Sequence, residues 1–170
     1  MFIAIIIIFL WHSSLNKYIQ VLQEDYSNRC LAIKVQSDTK SFVVFNIYFS
    51  CFESSSEYRA DISVCLGFME IILNTVIYDD IILIGDTNFS INDGSAGFQL
   101  LKSFIQSYNM LACDDLITCS DKCTNVNTAL EHASCIDNCF LTPNLRRIVY
   151  NVSILDSDAN HSDHRSLCFT

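Results

Sequence analysis

Two runs rich in β-branched and aromatic residues, SFVVFNIYF at Ser41–Phe49 and IILI at Ile81–Ile84, flank a stretch with a different period. Ile62, Cys65, Leu66, Met69, Leu73 and Val76 recur every three or four residues, which predicts one apolar stripe on a helix. Ser54–Glu57 opens that helix with serines followed by an acid in the first turn. A strand, a helix and a second buried strand in succession confine the chain to a mixed α/β architecture. Tyr18–Leu22 and Leu31–Val35 are further strand candidates, separated by the polar break Asp25–Asn28. A second helix is expected over Ser95–Asn109, with Phe98, Leu101, Phe104 and Ile105 inward. Gly85 is expected to stop the IILI strand, and short strands to follow around 124–128, 135–141, 148–154 and 166–169. No linker or repeat interrupts the pattern, so residues 1–170 read as one domain.

Composition narrows the functional classes. Four glycines and one proline in 170 residues exclude collagen-like and linker-rich chains. A net charge of −9 leaves no basic surplus for a large electrostatic clamp on a polyanion. Nine cysteines are an odd number, spread along the chain, and read as reduced, small hydrophobic side chains. The alternative is a zinc site from Cys119-x3-Cys123 and Cys135-x3-Cys139, although no glycine or proline shapes either turn. The opening MFIAIIIIFLW is shorter than the ~20 residues of a membrane span and lacks a positive leader, and it reads as a buried strand. A signal anchor there is the minor alternative, and the three sequons at Asn88, Asn151 and Asn160 would suit it.

Polar groups at the ends of apolar strands are where chemistry is expected. Four clusters qualify: Asn46-Ile47-Tyr48; Gly85-Asp86-Thr87-Asn88; Asp137 within CIDNCFL; and Ser162-Asp163-His164, with Asp156 and Asp158 nearby. Singly, each has an ordinary reading as a turn, a cap or a surface pair. Together they suit phosphodiester hydrolysis. Carboxylates such as Asp86 and Asp163 can hold a hard cation, and a histidine oriented by a carboxylate can stabilise charge on phosphoryl oxygens.

The combination NIY, ILIGDTN, SCIDNCFL and HSDH resembles the endonuclease/exonuclease/phosphatase superfamily. LWHSSLNKYIQVLQ and YFSCFESSSEYRADISVCLGFMEIILN are most similar to endonuclease domains of LINE-type retrotransposons. The resemblance runs from about Ala4 to the C-terminus. It implies a four-layer DNase-I-like β-sandwich flanked by helices, of α/β (α+β) class, and a Mg- or Mn-dependent phosphodiesterase acting on DNA. By the same resemblance Tyr48 contacts the scissile phosphate, Asp86 orients or deprotonates the attacking water, and Asn88 binds the phosphate. Asp163 is the metal ligand, His164 contacts the phosphate with Asp137 as its partner, and Asn46 supports the strand end.

Several positions depart from the family pattern. Family members begin with two further strands, bearing an Asn and a metal-binding Glu, so the resemblance implies a domain lacking its first strands. Leu22-Gln23-Glu24 spells the local motif of that Glu, but Glu24 lies only 24 residues before Tyr48, in surroundings that match a later hairpin. Thr87 stands where the family prefers an aromatic residue, and Ser50 where it has proline. The expectation is therefore weak metal binding, weak DNA binding and impaired activity in an intracellular setting, the nucleus included. The alternatives are an inactive remnant of such a domain and a phosphatase acting on a small phosphorylated substrate.

Overall fold

The computed structural model describes residues 10–24, 29–51, 56–91, 94–117, 123–127, 131–155 and 162–170. A 3-10 turn at Ser13–Tyr18 leads into β1 (Ile19–Glu24), β2 (Cys30–Gln36) and β3 (Ser41–Tyr48). Helix α1 (Ser56–Thr75) crosses over to β4 (Asp80–Asp86), and α2 (Ala96–Ser107) leads to the short β5 (Leu111–Ala112). There follow β6 (Asn125–Asn127), β7 (His132–Ser134), β8 (Asp137–Leu141), the single turn α3 (Pro143–Arg146), β9 (Val152–Leu155) and β10 (Ser166–Phe169).

Six strands form one sheet in the order β1-β2-β3-β4-β8-β5, while β9–β10 and β6–β7 make two-stranded ribbons. β3 and β4 are parallel, as a helical crossover requires, and the neighbouring pairs are antiparallel. Strand alternation divides the core in two. Val43, Phe45, Ile47, Ile81, Leu83 and Phe140 face the helices and pack with Tyr58, Ile62, Cys65 and Met69 of α1 and Leu101 and Phe104 of α2. The opposite face puts Ile82, Ile84, Cys139 and Leu141 against Val152, Ile154, Leu167 and Phe169 of β9–β10. The described residues thus build a helix layer, a central sheet and a second, smaller β layer, in keeping with the expected mixed α/β class.

The helix stripe is well drawn by sequence: Ile62, Cys65, Leu66, Met69 and Leu73 are all buried. The serine expected to open α2 does so, with Ser95 Oγ accepting from the Phe98 amide at 3.1 Å. Asn109 follows that helix at φ 52°, a left-handed position that asparagine tolerates. One boundary needs correction. Gly85 does not end β4, which continues through it to Asp86, because Gly85 pairs with Ile47 on one side and Asn138 on the other. The strand expected around 124–128 is β6, whereas its partner β7, the two-residue β5 and the Pro143 turn carry too little periodicity to be anticipated. The expected strand at 148–154 begins only at Val152, because the chain is still leaving the α3 turn at Ile148 and Val149. The expectations for residues 1–9, 25–28, 52–55 and 156–161 lie outside the described residues, and no helix among those described is long and apolar enough to cross a membrane.

Candidate active site

The register places the polar clusters side by side. Tyr48 pairs with Asp86 across β3–β4, and Asp86 pairs with Asp137 across β4–β8, so three of the candidate side chains stand in one row. Asn46, Tyr48, Asp86 and Asp137 all project from the face opposite the helices. His164 arrives from the segment before β10. Its Nδ1 lies 2.9 Å from Asp137 Oδ2 and 3.2 Å from Oδ1, and its Nε2 is 3.8 Å from Asp86 Oδ2. Asn88, at φ 54°, folds back over Asp86: its amide donates to Oδ1 at 2.8 Å and its Nδ2 to Oδ2 at 3.2 Å. The same Nδ2 donates to the Phe49 carbonyl at 2.8 Å, which joins the loop to the end of β3.

The electrostatics follow from this packing. Burial is the main reason the Asp86 carboxyl is raised to about 6, and the charges of Asp137 and Asp163 add to it. The Asn88 amide and the His164 charge act in the opposite sense. His164 is raised to about 9, chiefly by its hydrogen bond to Asp137, with the Asp137, Asp86 and Asp163 charges contributing. At neutral pH the site therefore holds an ionised Asp86 beside an imidazolium whose Nδ1–H donates to Asp137. Tyr48 is raised by burial and stays a phenol, within hydrogen-bonding reach of the Asn88 side chain.

All five residues expected to carry catalysis (Tyr48, Asp86, Asn88, Asp137 and His164) converge here. Asn46 is one strand pleat behind Tyr48 and lines a cavity of about 410 Å³ together with Asp137, Ser162, His164, Leu167 and Phe169. Asp163 is exposed at the rim, near enough for its charge to act on Asp86 and His164. Glu24 ends β1, three strands away from β4 in the sheet order, about 14 Å at the usual strand spacing.

Among the described residues, Asp86, Asp137 and His164 bring ligand atoms within 4.8 Å of one another, so a metal could be held there. Their chemistry fits a hard divalent cation through the carboxylates, since magnesium takes oxygen ligands and His164 Nδ1 is committed to Asp137. Asp86, Asp137 and Asp163 around one imidazolium leave an excess of negative charge that a cation would relieve. Among the described residues, no such grouping of cysteines is present for the zinc alternative. Cys139 is buried with its thiol against Cys113 on β5's continuation, and Cys119 lies outside the described residues.

Sequence reasoning passed over three supporting groups. Thr87, fully buried, bonds the carbonyls of Phe89 and Ile136, each at 2.9 Å, and accepts from Asn138 Nδ2 at 2.7 Å. Those contacts account for a small hydroxyl residue at this buried position. Thr124 Oγ1 accepts from the amides of Ile136 at 3.1 Å and Asp137 at 3.0 Å. Arg29 lies over the Tyr48 ring at 5.8 Å and pairs with Asp61 at 3.7 Å, placing a cation beside the site. Alternating hydrophobicity marks none of these, because their partners are distant in sequence.

The fold is that of endonuclease/exonuclease/phosphatase proteins, the DNase-I-like architecture. One similar solved structure is the endonuclease domain of TRAS1, a telomere-specific non-LTR retrotransposon, at TM-score 0.65 and 15% identity, covering 91% of this chain and 67% of that one. A second is the 3′ phosphatase NExo from Neisseria bound to a product DNA hairpin, at TM-score 0.68 and 14% identity, covering 89% and 69%. A third is the endonuclease/exonuclease/phosphatase from Bacteroides vulgatus, at TM-score 0.64 and 18% identity, covering 91% and 66%. No protein-family model matches the sequence. No curated protein matches it either.

Proposed function

We propose that this chain is a divalent-metal-dependent phosphodiesterase that cleaves DNA, of the kind found in retrotransposon endonuclease domains. The carrying observation is the row Tyr48–Asp86–Asp137, closed by His164 at 2.9 Å from Asp137 and 3.8 Å from Asp86. A carboxylate raised to about 6 accepts a proton from water more readily than an ordinary aspartate while remaining ionised at neutral pH. Asn88 holds both Asp86 oxygens and so fixes the direction of that proton transfer. His164, protonated through its bond to Asp137, presents Nε2–H to the phosphoryl oxygens, and Tyr48 offers a neutral hydroxyl to the same group. Asp86 and the exposed Asp163 are the residues that would hold magnesium or manganese, with water completing the shell. A bound ion would supply charge neutralisation at the phosphate and a lowered pKa of water.

Turnover is expected to be low, since Asp137 is committed to His164 and few carboxylate oxygens remain for a cation. DNA binding is expected to be weak at a net charge of −9, and a DNA substrate would suit an intracellular setting, the nucleus included. The same charge supports a second reading, a phosphatase acting on a small phosphorylated molecule, for which a basic surface is unnecessary. Bis-p-nitrophenyl phosphate and p-nitrophenyl phosphate separate the two. Faster release from the diester supports the nuclease reading, and faster release from the monoester replaces it with the phosphatase.

Two further outcomes are expected of the diester assay. The rate should rise at or below about pH 6 as Asp86 loses its proton and fall at or below about pH 9 as His164 loses its own, since a bound cation lowers both values. A profile that keeps climbing past the upper limb would remove His164 from the mechanism. Chelation by EDTA should abolish the rate, and excess magnesium or manganese should restore it.

A further inference from the structure

Asp137 and His164 lie 27 positions apart in the chain, on two different segments, yet their side chains meet at 2.9 Å. What holds those segments in register is the stretch 124–126. Thr124 is completely buried, and its side-chain oxygen takes the amide protons of both Ile136 and Asp137. The Thr124 carbonyl accepts from the Arg165 amide at 2.6 Å, and the Val126 amide donates to the Asp163 carbonyl at 2.8 Å. Asn125 bridges His164 directly in an antiparallel pair, and the Thr124 amide donates to the Ser134 carbonyl at 2.9 Å. One side of this residue therefore carries the start of β8 with its carboxylate, and the other carries the segment with the imidazole.

We infer that Thr124 is a positioning residue for the reaction, clamping Asp137 and His164 into one dyad through its hydroxyl oxygen and its backbone. This rests on the phosphodiesterase reading given above. Valine at this position would match the shape but supply no acceptor, so two buried amides would lose their partner and the strand start would move to find water. Serine would keep the oxygen. A displacement of the order of 1 Å in the dyad is expected to lower kcat on the order of 100-fold with a smaller change in KM, because Tyr48 on β3 and Asn88 in the loop after β4 keep their substrate contacts.

The test uses the full chain with nitrogen-labelled histidine. Proton NMR follows the downfield resonance of the His164 Nδ1–H held by Asp137, assigned among the four histidines by its loss in His164→Gln. The resonance is expected in the wild type, lost or broadened in folded Thr124→Val, and restored in Thr124→Ser, with kcat following the same order. An unchanged resonance and kcat in folded Thr124→Val overturns the inference. If Thr124→Val does not fold, Thr124→Ala replaces it, since it removes the hydroxyl without setting a methyl against the two amides. A resonance in Thr124→Ala matching that of Thr124→Ser overturns the inference, and so does a failure of all three variants to fold, which would make Thr124 a folding residue only. A wild type that hydrolyses no phosphodiester, yet shows the resonance behaving as expected, removes the phosphodiesterase reading and leaves the clamp standing.

Discussion

Replacing Asp86 by asparagine is expected to abolish DNA cleavage while making the protein more stable. The loss of rate should be on the order of 10³-fold, the usual contribution of a positioned proton acceptor. The gain in stability has a separate cause. Burial, with the nearby Asp137 and Asp163 charges, raises the Asp86 carboxyl from 3.8 to about 6, so the fold favours its protonated form. The stability tied to that proton is fully present below pH 3.8 and is lost as pH rises through about 6. Asparagine is neutral throughout and can still accept the Asn88 backbone amide with its side-chain oxygen, while its NH2 group offers Asn88 Nδ2 no acceptor and leaves that group its bond to the Phe49 carbonyl. After allowance for the weakened contact with His164, the variant should be more stable at pH 7.5 by about 1–2 kcal/mol. At pH 4 the difference should nearly vanish. Thermal melts at the two pH values, set beside plasmid cleavage, check both halves, and a variant less stable at pH 7.5 would mean that the His164 attraction outweighs the burial cost.

The second large effect is structural and lies one residue away. Gly85 has φ 136°, a conformation that residues with side chains rarely adopt. A Cβ there would overlap the Ile47 carbonyl oxygen and come within 2.8 Å of the Ile47 amide nitrogen. Neither strand can give way, because Gly85 is paired to Ile47 and Asn138 at once and the rows on either side carry the core and the site. Gly85→Ala is expected to cost on the order of 4–5 kcal/mol. Against a total stability of ~5–15 kcal/mol, that leaves little folded protein. Gly67 is the control: it lies inside α1, and an added Cβ meets nothing within 4 Å. Gly67→Ala should therefore stabilise by roughly 0.5–1 kcal/mol. Soluble yield and melting temperature read both variants, and a soluble Gly85→Ala with an unchanged melt would contradict the packing described at the β3–β4 pair.

These two neighbouring residues also show how far the sequence could be read. The glycine was visible as a strand-end signal, yet it proves to be an internal strand residue, because a turn glycine and a close-approach glycine look alike without the neighbouring strand. The row of candidate residues was legible for a definite reason. Tyr48, Asp86 and Asp137 each follow or sit in a run apolar enough to be recognised as a strand, and alternation then fixes the face they share. The helix stripe from Ile62 to Leu73 was legible through its period. What stayed hidden depends on pairing between distant segments. Thr87 meets Asn138 and Thr124 meets Asp137 across 51 and 13 positions, and nothing local marks a buried threonine as an acceptor for someone else's backbone. β6 falls within the strand expected around 124–128, but its partner β7 escaped, since three residues show no reliable alternation.

The account stands most directly on whether this site cleaves phosphodiester bonds in DNA. Supercoiled plasmid incubated with the purified chain and magnesium or manganese is the measurement, with the Asp86→Ala variant prepared in parallel. Nicked circles are expected that require the metal, accumulate slowly with the wild type and are absent with Asp86→Ala. No relaxation by the wild type at any metal concentration, or equal relaxation by the two proteins, would contradict it.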